Sequence, residues 1–104
     1  MDKDLYRIDQ SKIEGQGIFA NKKISENQTI GLPLYVNYLL FPIITKDLGK
    51  KINHSSNPNA KLVKDPMCLK WYLVATRKIS KNEEITMNYK DTPWFIDGPM
   101  PWWS

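Results

Sequence analysis

Apolar positions in this chain recur at short spacing and never settle into a long helical stripe. Leu5, Arg7 and Ile8 lead into residues 11–14. Gly15-Gln16-Gly17 then breaks the pattern before Ile18-Phe19, which predicts strand, glycine turn, strand. Residues 24–28 are polar and turn-like. Residues 29–40 are rich in β-branched and aromatic positions around Pro33, predicting one or two short strands that run into a helical turn near 38–40. Residues 45–49 predict a short capped helical turn ending at Gly49, and 55–59 a loop. Residues 60–63 and 69–76, separated by Lys64-Asp65-Pro66, predict a hairpin. After a polar turn at 80–83, Ile85-Thr86-Met87-Asn88-Tyr89 alternates in the manner of a half-buried strand. From Thr92 the character changes, because Trp94, Phe95, Trp102 and Trp103 are interleaved with Pro93, Pro99 and Pro101. Such a tail cannot be regular, so its indoles need a surface to pack on. With no internal repeat and no long amphipathic helix, the pattern predicts a mainly β domain with few helical turns.

Length and composition narrow this picture. A chain of 104 residues has room for one ordinary domain with one core, and 41% hydrophobic with 25% charged residues is the composition of a folded protein. The net charge of +4 makes an acidic-flanked partner plausible, but the 15 basic residues are spread along the chain, which argues against nucleic acid. The single Cys68 excludes an internal disulfide and a multi-cysteine zinc cluster. The N-terminal residues carry charge where a secretory signal would be apolar. The longest apolar stretch, residues 30–44, is interrupted by Pro33, Asn37 and Pro42 and falls short of the roughly 20 residues of a membrane span. The expectation is an intracellular protein, nucleus or cytoplasm unspecified, without a membrane partner.

Taken singly, the residues that could carry chemistry have plain structural readings. Gly15-Gln16-Gly17 lacks the third glycine and the helix of a dinucleotide fingerprint, so alone it is a turn. A lone His54 is ordinarily a satisfied structural histidine, and with no nucleophile in evidence it supports no triad. Tyr89 at a strand end is by default a core or rim aromatic.

Together they carry more. Gly15-Gln16-Gly17 with Phe19, then Asn53-His54-Ser55-Ser56-Asn57-Pro58-Asn59, then Glu83-Glu84-Ile85-Thr86-Met87-Asn88-Tyr89 resemble, in order and separation, the three motifs of the SET protein-lysine methyltransferase family. The resemblance runs from about Ile8 to Trp94, and the shortness of the chain looks most like the stand-alone SET enzymes of large DNA viruses. It implies a single minimal SET domain over 1–104, with a core of about 8–94 and an aromatic tail of 95–104. The family fold is a set of short curved β-sheets around a threaded C-terminal segment.

The implied activity is methyl transfer from S-adenosylmethionine to a lysine of a protein substrate, for which a histone tail is the family-typical choice. Gly15, Gln16 and Gly17 would face the methionine part of the cofactor. Ile52, Asn53 and the His54 backbone would meet its amino group and adenine, and Trp94 would stack on the adenine. Tyr89 is the implied catalytic hydroxyl, and Tyr35 the candidate second tyrosine of the lysine channel. Met87 stands where relatives commonly carry Phe or Tyr; lacking a hydroxyl, it is expected to allow methylation beyond the first methyl. No metal is implied, since the zinc-binding cysteine segment of many relatives is absent. The tryptophan tail is expected to cover the site instead, within one chain or across a homodimer. Two other readings stay open: a catalytically silent SET-like module that binds peptide or cofactor, and a small basic β-domain for single-stranded nucleic acid.

Overall fold

The computed structural model describes residues 4–91. Among these residues eight short strands form two four-stranded sheets. The first sheet contains β1 (Tyr6–Gln10), β2 (Gln16–Ala20), β8 (Glu84–Met87) and β5 (Asn53–His54), in the order β1-β2-β8-β5. The second contains β4 (Pro42–Ile44), β3 (Thr29–Val36), β7 (Lys70–Ala75) and β6 (Ala60–Lys64), in the order β4-β3-β7-β6. Every pairing is antiparallel except β5 with β8, where Asn53 lies beside Thr86 and His54 beside Met87. The last strand is thus inserted between two that precede it, which brings the second and third sequence motifs side by side.

One core cluster lies between the sheets. Ile18, Ile24, Ile52, Leu73, Ile79 and Ile85 are fully buried there, and each side chain contributes about 1.5–3 kcal/mol of transfer free energy. Leu5, ahead of β1, is buried in the same cluster. The hairpin expected over residues 60–76 forms as β6 and β7, with Leu62 opposite Leu73.

Several expectations are corrected. In the glycine segment only Gly15 (φ +42°) makes the turn; Gln16 and Gly17 are already in β2. The turn expected at 38–40 is a hairpin loop. Asn37 closes it by accepting the Leu39 and Phe41 N–H groups on its side chain, and a strand, β4, follows that the two prolines had obscured. The helix is α1 (Leu48–Lys51), and Gly49 lies inside it rather than at its end. A Cβ at Gly49 would overlap the Pro33 carbonyl, so this glycine permits close packing on β3 instead of marking a terminus. The alternation read over residues 85–89 also fails. Ile85, Thr86 and Met87 are all buried because β8 is a central strand covered on both faces, and the chain leaves the sheet before Tyr89, which opens a 3-10 turn (Tyr89–Asp91).

Candidate active site

The three motifs meet at the junction of β5, β8 and the β1–β2 loop. Asn53 is 6% exposed, and its Nδ2 lies within donating distance of four acceptors: Glu84 Oε2 (2.9 Å), Ser11 Oγ (3.0 Å), Glu14 O (3.1 Å) and Gln16 O (3.2 Å). Its amide protons are therefore turned into the protein, onto the glycine loop and the β8 carboxylate. Gly17 owes its identity to the same cluster. A Cβ there would overlap the Glu84 carboxylate and sit 3.0 Å from Asn53 Nδ2. Glycine loop, Asn53 and Glu84 thus interlock through contacts within the protein.

Tyr89 is held by the two residues flanking Asn53. Its hydroxyl donates to the Ile52 carbonyl (3.2 Å), and its main-chain N–H donates to His54 Nδ1 (3.1 Å). The imidazole and phenol rings lie 4.9 Å apart, tilted by 52°. Burial pushes the Tyr89 hydroxyl up to about 12; a hydrogen bond from the His54 backbone opposes the shift, and the nearby Glu14 carboxylate adds to it. At neutral pH the residue is a neutral phenol, able to orient a partner but unsuited to act as a base.

Asn59, the last residue of the second motif, grips β8 from a different element. Its Oδ1 accepts the Thr86 N–H (2.8 Å), and its Nδ2 donates to the Glu84 carbonyl (2.8 Å) and to Glu83 Oε2 (3.2 Å). Only 2% of its surface is exposed. Glu83 also takes Arg77 Nη2 at 2.6 Å, and those bonds hold its carboxyl below the usual carboxylate range against the desolvation that opposes them.

The site thus brings together Gly15, Gln16, Gly17, Ile52, Asn53, His54 and Tyr89 among the expected residues. Met87 is 1% exposed within the core cluster, against which Tyr89 packs. Tyr35 lies in the other sheet, on β3, opposite Ile43 and Lys70. Trp94, with Phe95, Trp102 and Trp103, lies outside the described residues. Ser11, Glu14, Glu84 and Asn59 were not singled out from sequence. The last two stand inside recognised motifs, whereas Ser11 carries no signal beyond its place before the glycine turn. A separate hollow of about 450 Å³ at the β1 edge is lined by Tyr6, Arg7, Ile8 and Asp47, none of them site residues; burial and the Asp47 charge push the Tyr6 hydroxyl upward.

Among the described residues, no three of His, Cys, Asp and Glu cluster as metal ligands, and no helix is long and apolar enough to cross a membrane. Among the described residues β5 ends its sheet, so one side of the Asn53–His54 main chain has no strand partner there, and no heavy atom of those residues lies within 4 Å of where a Gly15 Cβ would stand; such an opening would fit an adenine edge.

Comparison with known proteins agrees with this architecture. The family model described as SET domain matches residues 42–90, from β4 to the 3-10 turn at Tyr89. A crystal structure of a candidate histone methyltransferase from Plasmodium falciparum superposes with a TM-score of 0.64, at 21% identity over 90% of this chain and 99% of that one. The fold is therefore that of a SET domain. A histone-lysine N-methyltransferase of Candida albicans, specific for H3 lysine 36, is 29% identical over 80% of this chain. This chain spans 14% of that protein's length.

Proposed function

We propose that the chain is a SET-domain protein-lysine methyltransferase that uses S-adenosylmethionine. The observation that carries the reading is Tyr89, fixed by its hydroxyl on Ile52 and its N–H on His54, beside the interlocked glycine loop and Asn53. The family match over residues 42–90 and the similarity to histone-lysine methyltransferases support it.

A substrate lysine must lose its proton before it can attack, at a cost of roughly 4 to 5 kcal/mol at pH 7. When bound, S-adenosylmethionine supplies an electrophilic methyl on a sulfonium whose positive charge also disfavours the lysine ammonium. Tyr89 stays protonated, with its proton committed to Ile52, so it would offer an oxygen lone pair to the amine and align it for in-line transfer. Asn53 has its N–H groups engaged by the protein, which would leave Oδ1 to accept from the amino group of the cofactor. His54 would serve through its backbone. Met87, buried in the core cluster on which Tyr89 packs, would give the channel no hydroxyl, and Tyr35, on β3 of the other sheet, would supply its second aromatic wall; this predicts methylation beyond monomethyl-lysine.

Incubating the purified protein with radiolabelled S-adenosylmethionine, histones and cell lysate tests the reading. Label on lysine is expected in the native protein and lost in Tyr89→Phe. Absence of any Tyr89-dependent label on protein overturns it, and a time course that stops at monomethyl-lysine with cofactor in excess overturns the role given to Met87.

A further inference from the structure

The glycine loop is unusual in how little packing holds it. Residues 12–16 are all exposed, so no buried side chain of the loop itself fixes its path between β1 and β2. Its shape is set by hydrogen bonds, and those converge on Ser11. The Ser11 hydroxyl lies 2.8 and 2.9 Å from the two Glu84 carboxylate oxygens, to which its single proton is committed. Its oxygen then faces the Ile13 N–H (2.9 Å), the Glu14 N–H (3.4 Å) and Asn53 Nδ2 (3.0 Å). The Ser11 main-chain N–H closes the loop onto the Gly15 carbonyl at 2.8 Å. Asn53 takes the far side, with Nδ2 on the Glu14 and Gln16 carbonyls.

The carboxylate is what gives this arrangement a direction. A hydroxyl can point its proton anywhere around its C–O bond; fixed on an anion, it must present lone pairs to the loop amides. We propose that Ser11 and Glu84 are positioning residues that form a clasp with Asn53 and hold the glycine loop in the shape that receives the cofactor. The proposal rests on the reading of the site as an S-adenosylmethionine site. It assigns to Ser11 a role in cofactor affinity without contact with the reacting atoms, so the clasp governs how tightly the cofactor is held while Tyr89, on the β5 side, governs turnover.

The test compares Ser11→Ala with Ser11→Thr in the full chain, measuring S-adenosylmethionine affinity by calorimetry, the KM values for cofactor and for substrate protein, kcat, and amide exchange across residues 11–16. Ser11→Ala is expected to weaken cofactor binding and raise its KM about tenfold, the equivalent of one lost hydrogen bond to a charged group. The KM for substrate protein and kcat should stay within twofold, and exchange should accelerate at Ile13 and Glu14. Ser11→Thr restores the hydroxyl and should restore affinity. Cofactor binding in Ser11→Ala within twofold of the native chain overturns the proposal, as does an equal loss in kcat and in both KM values, which would mark general damage. If the native chain itself fails to bind S-adenosylmethionine, the functional reading falls; faster exchange confined to residues 11–16 in Ser11→Ala would then uphold the clasp as a loop-holding device, and unchanged exchange would overturn it too.

Discussion

Gly17→Ala isolates the interlock of the three motifs. Gly17 has no positive φ, and in an ordinary strand position alanine would be tolerated or favoured by about 0.5–1 kcal/mol over glycine. Here its Cβ falls on the Glu84 carboxylate, with Asn53 Nδ2 3.0 Å away. The carboxylate cannot yield freely, because it is held by Ser11 at 2.8 Å and by Asn53 at 2.9 Å. Moving it breaks two hydrogen bonds to a charged group, each contributing about 1.5–3 kcal/mol, and leaves a nearly buried amide short of an acceptor. The net expectation is a destabilisation of about 2–4 kcal/mol, or a fall in Tm of roughly 10–25 °C for a domain of this size. Urea unfolding at neutral pH measures it, with an unchanged m-value as the sign that the fold is kept. A double-mutant cycle supplies the control. If the collision with Glu84 is the cause, Gly17→Ala in a Glu84→Ala background should cost at least about 1 kcal/mol less than in the native chain. Additive effects, or a single mutant within about 0.5 kcal/mol of native, would refute the reasoning.

Asn59→Ala strands the buried Thr86 N–H and the Glu84 carbonyl, so urea unfolding should report a loss of about 2–4 kcal/mol. Tyr89→Phe should cost about 1 kcal/mol near neutrality and flatten the alkaline limb of stability. The native phenol, raised from 10.0 to about 12, contributes stability that is complete below pH 10 and lost as pH climbs toward 12. Once solvent screening is allowed for, that contribution is about 1 kcal/mol; Tyr6, raised in the same direction, leaves a residual slope that denaturation at pH 9, 10.5 and 11.5 should resolve. Leu40→Gly replaces an exposed residue at φ +65° and should leave the melting temperature unchanged or raise it by the equivalent of up to about 1 kcal/mol.

What could be read from sequence was whatever depends on local pattern. The 60–76 hairpin follows from two short strand-like segments around Lys64-Asp65-Pro66, and the turn before β8 from the polar run 80–83. Elements shaped by distant contacts were not legible in this way. Gly49 signalled a helix end to local reasoning, yet it exists for the Pro33 carbonyl some sixteen residues earlier. The 85–89 alternation mistook a strand buried on both faces for a half-covered one, since nothing within five residues reveals what will pack on either face of β8. The same limit applies to the site. Asn53, His54 and Tyr89 were legible through resemblance of motifs, but the partners that fix them, Ser11 and the Ile52 carbonyl, are an unmarked serine and a main-chain atom.

The parallel pairing of β5 with β8 explains why so much rests on three consecutive residues. Ile52 offers its carbonyl to the Tyr89 hydroxyl, Asn53 holds the glycine loop and Glu84, and His54 accepts the Tyr89 main-chain N–H on Nδ1. These partners lie 31 to 37 residues away in the chain on one side and 37 to 42 on the other, yet all are met within one short strand and the residue before it. An acceptor at His54 Nδ1 already occupied by a main-chain donor is not free to take a proton from substrate, so the geometry itself argues for His54 as a scaffold residue. Asn59 then fixes β8 through Thr86 and Glu84, and with β8 in place Tyr89 emerges two residues past Met87 directly beside the imidazole. The tyrosine hydroxyl is positioned by the sheet as a whole, which is the kind of preorganisation that the proposed methyl transfer, without a covalent enzyme intermediate, would require.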